Sequence, residues 1–319
     1  MMELRYNPIT NEWVLISSDR QKRPVQPRTS VCPLCPGGVE FDRDYDLAVF
    51  DNRFPSLKMN PPDVVKEKED DFFVHAPSFG KCEVIMYTSN HDSSMSRMPI
   101  PQIEKLVYVW EDRTRELMKE KRIKYVYPFE NRGKEVGATL SHPHGQLYAF
   151  PFIPKRIRTM IEAQKRYEKE KGRCVVCDVV KNELGFRKRI VYEGAHFLAV
   201  VPYFARFPYE VHIYAKRHLS FFMDMTAQEK FDLAVTLKVV TSKYDSLFDE
   251  EFPYMMAIFQ SPVNPSMKDF HFHVEFYPPK RDKNKIKWMA SVETGTWTFI
   301  NPSTPAESAK RLRNAPYVL

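Results

Sequence analysis

The amino-acid sequence predicts an α+β protein built from a duplicated unit, with antiparallel sheets and packed helices. Two observations carry that expectation. The same landmarks occur twice in the same order: a C-x-x-C pair, a strand-like run closing on a histidine, an amphipathic helical stretch and an H-x-H. Their spacings also agree. From the second cysteine to the lone histidine is 56 residues in the first half and 41 in the second, and from there to the H-x-H is 51 and 53.

In the first half, Cys32/Cys35 precede the apolar run Leu47-Ala48-Val49-Phe50 and a proline-containing turn through Asn52-Arg53-Phe54-Pro55. Glu83-Val84-Ile85-Met86-Tyr87 then leads to His91 as a strand. Pro101-Gln102-Ile103-Glu104 opens a helix with Ile103, Leu106, Val107 and Trp110 on one face. Tyr125-Val126-Tyr127-Pro128-Phe129 and the segment from His142 to Tyr148 are two further strands. The charged, amphipathic stretch from Lys155 to Lys171 is expected to be a helix joining the halves, which divides the chain into units 1–160 and 161–319.

The second half repeats the series. Cys174/Cys177 precede Phe197-Leu198-Ala199-Val200-Val201, a turn through Arg206-Phe207-Pro208, and the run from Glu210 to His218. Thr226-Ala227-Gln228-Glu229 has the N-cap pattern of a helix that presents Phe231, Leu233, Ala234 and Leu237. Strands follow over Tyr254 to Phe259 and His271 to Tyr277. The charged run 66–71 is expected as a solvated loop.

Composition narrows the function classes. The 319 residues are 43% apolar and 28% charged, as in an ordinary globular protein. No apolar run is long enough for a membrane span, and the opening residues lack a signal peptide's apolar core. A cytoplasmic, reducing setting is therefore expected, with no disulfide framework. The net charge of +7 is spread along the chain, which suits small anionic ligands and not nucleic acid. Ten glycines and the lack of G-x-G-x-x-G or P-loop strings argue against the common dinucleotide and triphosphate cradles. The fifth cysteine, Cys82, fits a buried strand position.

Two thiols on a tight turn plus two distant imidazoles make a closed tetrahedral zinc set. The expected ligands are Cys32, Cys35, His91 and His142 in the first half, and Cys174, Cys177, His218 and His271 in the second, two zincs per chain. His273 shares a strand face with His271 and is the alternative ligand. The ligand gaps far exceed those of a zinc finger, so the metal would pin a large domain. If His142 holds metal, His144 is left for chemistry. Gly145 would let a ligand approach, Gln146 offers a neutral donor and acceptor, and Thr139 and Ser141 offer hydroxyls to phosphate oxygens. A strand-borne imidazole in that company suits nucleophilic attack on phosphorus through a phospho-histidine. In the second copy Val274 and Glu275 replace the glycine and glutamine, and an acidic group there repels phosphate.

The string Ser141-His142-Pro143-His144-Gly145-Gln146 resembles the galactose-1-phosphate uridylyltransferases of the histidine-triad superfamily. Phe129-Glu130-Asn131-Arg132-Gly133, Phe207-Pro208-Tyr209-Glu210, Phe276-Tyr277-Pro278-Pro279 and Glu293-Thr294-Gly295 extend the resemblance over essentially the whole chain. It implies two histidine-triad-like units, the second degenerate, in a homodimer. It also implies ping-pong transfer of UMP from UDP-glucose to galactose 1-phosphate through His144. Asn131, Thr139 and Gln146 would hold phosphate oxygens, with Asn52 near the nucleotide and Glu293 near the hexose hydroxyls. Some members carry an iron on a glutamate and three histidines. Met160, Gln260 and Glu275 stand at three of those positions here, so that site is expected to be missing. The second C-x-x-C resembles members with two zincs, among them an ADP-glucose phosphorylase branch, which is the alternative activity. A non-catalytic, zinc-stabilised RNA-binding protein is the competing class.

Overall fold

The computed structural model describes residues 2–22, 32–64 and 72–319, so the charged run 66–71 lies outside the described residues. The first half contains β1 (Met2–Asn7), β2 (Glu12–Ser17), β3 (Ala48–Asp51), β4 (His75–Pro77), β5 (Lys81–Met86), α1 (Ile100–Leu117), β6 (Tyr125–Arg132) and β7 (His144–Phe150). After these come α2 (Lys155–Lys171), α3 (Val175–Phe186), β8 (Ile190–Glu193), β9 (Phe197–Val200), β10 (Val211–Ala215) and α4 (Ala227–Phe248). The chain closes with β11 (Tyr254–Phe259), β12 (His273–Tyr277), β13 (Lys280–Asp282), β14 (Lys285–Ile286), α5 (Ser291–Thr296) and α6 (Pro305–Asn314).

Every pairing in the main sheet is antiparallel. Its order is β3-β5-β7-β6-β11-β12-β10-β9-β8. From the centre outwards the two halves follow the same sequence of elements, so the duplicated α+β architecture is expressed directly in strand order. The four strands of the first half and the five of the second, where β8 is added at the outer edge, join edge to edge through β6 and β11, with Met256 opposite Glu130 and Met255 opposite Asn131. That pairing leaves no open strand edge at the middle of the molecule.

Alternation along the strands supplies two apolar faces. Val126, Leu147, Ile213 and Val274 pack with Ile103, Leu106, Val107 and Trp110 of α1 and Leu233, Ala234 and Leu237 of α4. Tyr125, Ala257 and Phe259 turn to the other side, against Ile157 and Ile161 of α2. Phe231 departs from expectation: it is exposed, and Lys230 is buried beside it, its ammonium bonded to Glu111. A small sheet, β2-β1-β4, lies apart from the main one.

Four landmark histidines sit differently from the sequence expectation. Strands β5 and β10 stop at Met86 and Ala215, so His91 and His218 lie in the loops that follow. Ahead of His91, the Thr88 hydroxyl and Asn90 side chain accept backbone N–H bonds, which ends the ladder. Likewise β7 and β12 begin at His144 and His273, which places His142 and His271 in the approach to each strand.

The N-terminus of α4 is a full capping box: Thr226 accepts from the Glu229 N–H at 3.3 Å, and Glu229 accepts from the Thr226 N–H at 2.7 Å. The Arg217 guanidinium adds a second partner and holds the Glu229 carboxyl at about 2, against an ordinary 4.5. A carboxyl depressed in the folded state stabilises fully above its unfolded pKa and loses that contribution as pH falls through the folded one. Glu229→Gln should therefore unfold at a lower denaturant concentration than the parent protein near neutrality. The two midpoints should converge as pH approaches about 2.

Candidate active site

The first cluster is built by elements far apart in the chain. Cys32 and Cys35 form a tight turn, closed by the Cys35 N–H donating to the Cys32 carbonyl at 3.2 Å. His91 and His142 present Nδ1 to the thiols. Cys35 Sγ lies 3.4 Å from His91 and 3.5 Å from His142, and Cys32 Sγ lies 3.9 Å from His142. A tetrahedral zinc with ordinary Zn–S and Zn–N bonds sets ligand atoms about 3.6 Å apart, so these four residues fit such an ion. The other ring nitrogens are held too: His142 Nε2 is 2.8 Å from the Thr88 carbonyl and 3.1 Å from the Tyr45 hydroxyl, and His91 Nε2 is 3.2 Å from Ser141 Oγ. Such contacts fix which nitrogen is offered to a metal. Burial holds His142 below the usual histidine range, in the neutral form that ligates.

The second cluster has the same geometry. Cys174 is the N-cap of α3, and Cys177 sits in its first turn. His271 Nδ1 lies 3.6 Å from Cys174 Sγ and 3.5 Å from Cys177 Sγ, and His218 Nδ1 lies 3.8 Å from Cys177 Sγ. His271 Nε2 meets the Ala215 carbonyl at 2.9 Å, and His218 Nε2 meets the Lys268 carbonyl at 2.7 Å. His273 turns away from the thiols toward Glu275, so the alternative ligand does not join the cluster. Burial and the neighbouring sulfur push Cys35 up to about 11 and Cys177 up to about 12. Two thiolates this close need positive charge between them.

His144 opens β7. Its Nδ1 is 2.7 Å from the His142 carbonyl. A carbonyl only accepts, so Nδ1 carries the proton and Nε2 the lone pair. A cavity of about 480 Å³ receives this side chain together with Asn131, Arg132, Thr139, Ser141 and Glu130. Gln146 and Asn52 lie beyond the cavity lining and are joined by Asn52 Nδ2 donating to Gln146 Oε1 at 3.3 Å. Glu293 is apart from the cavity of its own chain. It is buried on α5, where Lys287 Nζ at 2.6 Å and the Ala290 N–H hold its carboxyl at about 2.

Gly145 serves a purpose other than the expected one. It is buried, and a Cβ there would lie 2.3 Å from the Tyr87 hydroxyl and 3.1 Å from the Phe129 carbonyl. The missing side chain makes room for Tyr87 inside the protein, not for a ligand.

The second copy keeps the backbone of this arrangement and changes its surroundings. His273 Nδ1 lies 2.8 Å from the His271 carbonyl, as His144 does to His142. Its Nε2 faces Glu275 at 3.1 Å, and its ring stacks on Phe259. Arg156 at 2.5 Å and Arg206 at 3.2 Å bind the same Glu275 carboxylate. Burial opposes its charge, yet His212 and Arg156 hold it well below the usual carboxylate range. Glu210, His212 and Glu275 come close enough together to suggest a third metal cluster. A divalent ion there would have to displace two guanidiniums, so the donor set does not fit one. Gln260 bonds Thr114 and Val126, and Met160 is packed in the apolar layer around α2.

Comparison with known proteins agrees with this geometry. The profile for the galactose-1-phosphate uridyl transferase N-terminal domain matches residues 1–154, and that for the C-terminal domain matches residues 160–293. A galactose-1-phosphate uridylyltransferase of Thermotoga maritima is 58% identical over 98% of both chains. The chain belongs to the galactose-1-phosphate uridylyltransferase family. It is an enzyme of the transferase class. A Haemophilus influenzae uridylyltransferase is 33% identical over 97% of this chain and 93% of its own. A solved uridylyltransferase superposes with a TM-score of 0.89 at 34% identity, covering 98% of this chain and 97% of that one. An ADP-glucose phosphorylase of Arabidopsis thaliana superposes with a TM-score of 0.76 at 26% identity, each chain covered to 99%.

Sequence reasoning missed the residues behind the landmarks: Tyr45, the Thr88 and Lys268 carbonyls, and the Tyr87–Glu130 pair beneath the family's strand. Only Glu130 carried a signal, as part of Phe129-Glu130-Asn131-Arg132-Gly133. The Gly145 contact yields a direct test. Gly145→Ala should lower turnover and cost about 1–3 kcal/mol of stability through overpacking. Tyr87→Phe in the same chain should return part of both, read from turnover and from denaturation midpoints.

Proposed function

We propose that this protein transfers UMP from UDP-glucose to galactose 1-phosphate by a ping-pong reaction on His144, in the cytoplasm. The observation that carries the reading is the His144 Nδ1 contact to the His142 carbonyl, which presents Nε2 as a nucleophile at a cavity lined by Asn131, Thr139 and Ser141. In the first step a bond forms between Nε2 and the α-phosphorus, and the bond from that phosphorus to the bridging oxygen breaks. Glucose 1-phosphate leaves with the electron pair. Its low basicity means little acid assistance is needed, so neutral Gln146, steadied by Asn52, orients phosphoryl oxygens without supplying a proton. In the second step a phosphate oxygen of galactose 1-phosphate attacks the uridylyl-histidine, and Nε2 departs.

In this reading the N-terminal unit, 1–160, carries the chemistry and the C-terminal unit, 161–319, is its degenerate copy. Both clusters hold zinc as structural ions, because borderline-soft thiolate and imidazole donors suit it and four protein ligands close the coordination sphere. The protein acts as a homodimer. Trp288, Met289, Trp297 and Ile300 form an exposed apolar surface around Glu293 and support pairing there. A second copy is also the route by which Glu293 would approach hexose hydroxyls, since it does not line its own cavity.

Protein incubated with UDP-glucose labelled at the α-phosphate should retain acid-labile label. Substitution of His144 by Gly should abolish labelling and lower turnover by about 10³-fold or more. Label taken instead from ADP-glucose, with phosphate as acceptor, would favour the phosphorylase alternative. Metal analysis should find about two zincs per chain. Iron, or one metal per chain, would contradict that assignment.

A further inference from the structure

Glu130 is an unexpected group in a cavity suited to phosphates. It lies on β6 beside Asn131, lines the cavity with His144, Thr139 and Ser141, and is 6% exposed. Its Oε1 accepts from the Tyr254 hydroxyl at 2.9 Å. Its Oε2, like the Tyr87 hydroxyl, makes no hydrogen bond of good geometry among the described residues. The groups facing it are Tyr254 from β11, Arg132 on its own strand, Tyr87 just after β5 and Asp245 from α4. Arg132 grips Asp245 through two bonds, at 2.7 and 3.1 Å, so its charge is already matched elsewhere. An ionised Glu130 is thus a poorly compensated charge in a wall of low dielectric, and it repels an anion in the cavity.

We propose that Glu130 is a proton-storing residue of the phosphate cavity, taking up a proton when the diphosphate binds and returning it to solvent when product leaves. The one bond made is O–H on the carboxyl, with the proton drawn from solvent. The neutral acid ends the repulsion. Burial pushes the empty-site carboxyl up to about 7, while the Tyr254 bond, the Arg132 charge and the Tyr87 hydroxyl oppose the rise and the Asp245 charge adds to it. A bound anion pushes it further. Glu130 acts through charge and does not touch the reacting atoms.

The inference rests on the uridylyltransferase reading, and calorimetry with UDP-glucose separates the two. The diphosphate of this probe does not titrate near neutrality, and His144→Asn prevents transfer and removes the imidazole's own titration. Binding heats in buffers of different ionisation enthalpy then count protons. At about pH 7.5, His144→Asn should take up roughly half a proton or more, and the added Glu130→Gln should abolish that uptake. Equal uptake in both, or none in His144→Asn, overturns the inference while binding leaves the reading intact. No binding overturns both. If Glu130→Gln does not fold, Tyr254→Phe decides: losing the bond that favours the charged form should move the pH of greatest uptake upward, and an unmoved maximum overturns the proposal.

Discussion

The site depends on the three bonds made by His142. Its Nδ1 faces two thiols, its Nε2 is held at the Thr88 carbonyl, and its own carbonyl accepts the Nδ1–H of His144. Any rotation of this buried residue disturbs the sulfur cluster and the tautomer of His144 together. This explains why the motif is H-x-H and not two independent histidines. The first imidazole and its peptide oxygen form a rigid mount, and the second is oriented by it. His271 makes the same three contacts in the second half, to the Cys174 and Cys177 thiols, the Ala215 carbonyl and His273.

Since both mounts survive, the difference between the halves lies in side chains around the second histidine. His144 opens onto a cavity, and its neighbour two residues on is an uncharged amide bonded to Asn52. His273 is enclosed by Phe259, Phe270 and Tyr214, and its neighbour is a carboxylate bound by two arginines. Where Gln146 carries an amide, Glu275 carries a carboxylate, and Arg156 from α2 and Arg206 from the loop before β10 neutralise it. Where the first copy has a cavity, the second has a charge-balanced core.

Much of this was legible in the sequence because the clusters are signatures of residue type. Thiols and imidazoles at repeated spacing declare themselves, as do the amphipathic faces of α1 and the capping box of α4. Element ends were less legible, since Thr88 and Asn90 stop a strand through side-chain bonds that no hydrophobic period records. The pairing of β6 with β11 was invisible, because backbone bonds across more than a hundred residues leave no pattern. The small β2-β1-β4 sheet and α3, α5 and α6 were not anticipated either. Their apolar faces are short and lack partners nearby in sequence. Gly145 shows a different limit: its close contact, Tyr87, is remote in the chain, so a spacing argument assigned the empty volume to a ligand.

The fused sheet also makes the first half dependent on the second. The end of β6 forms a wall of the cavity, and nearly every constraint on it comes from the second half. Tyr254 bonds Glu130, Asp245 clamps Arg132, and Met255 lies opposite Asn131. Gly133, just after the strand, has a φ of 94°, and a side chain there would meet Pro253 at 2.7 Å. Positions 130 to 133 are therefore set by residues 245 to 255, across a junction that buries both strands. A protein divided at the helix between its halves would keep the His142 mount and the thiol cluster. It would lose the surface against which Asn131 is positioned. The second copy thus supports the first: it holds one wall of the cavity that receives His144.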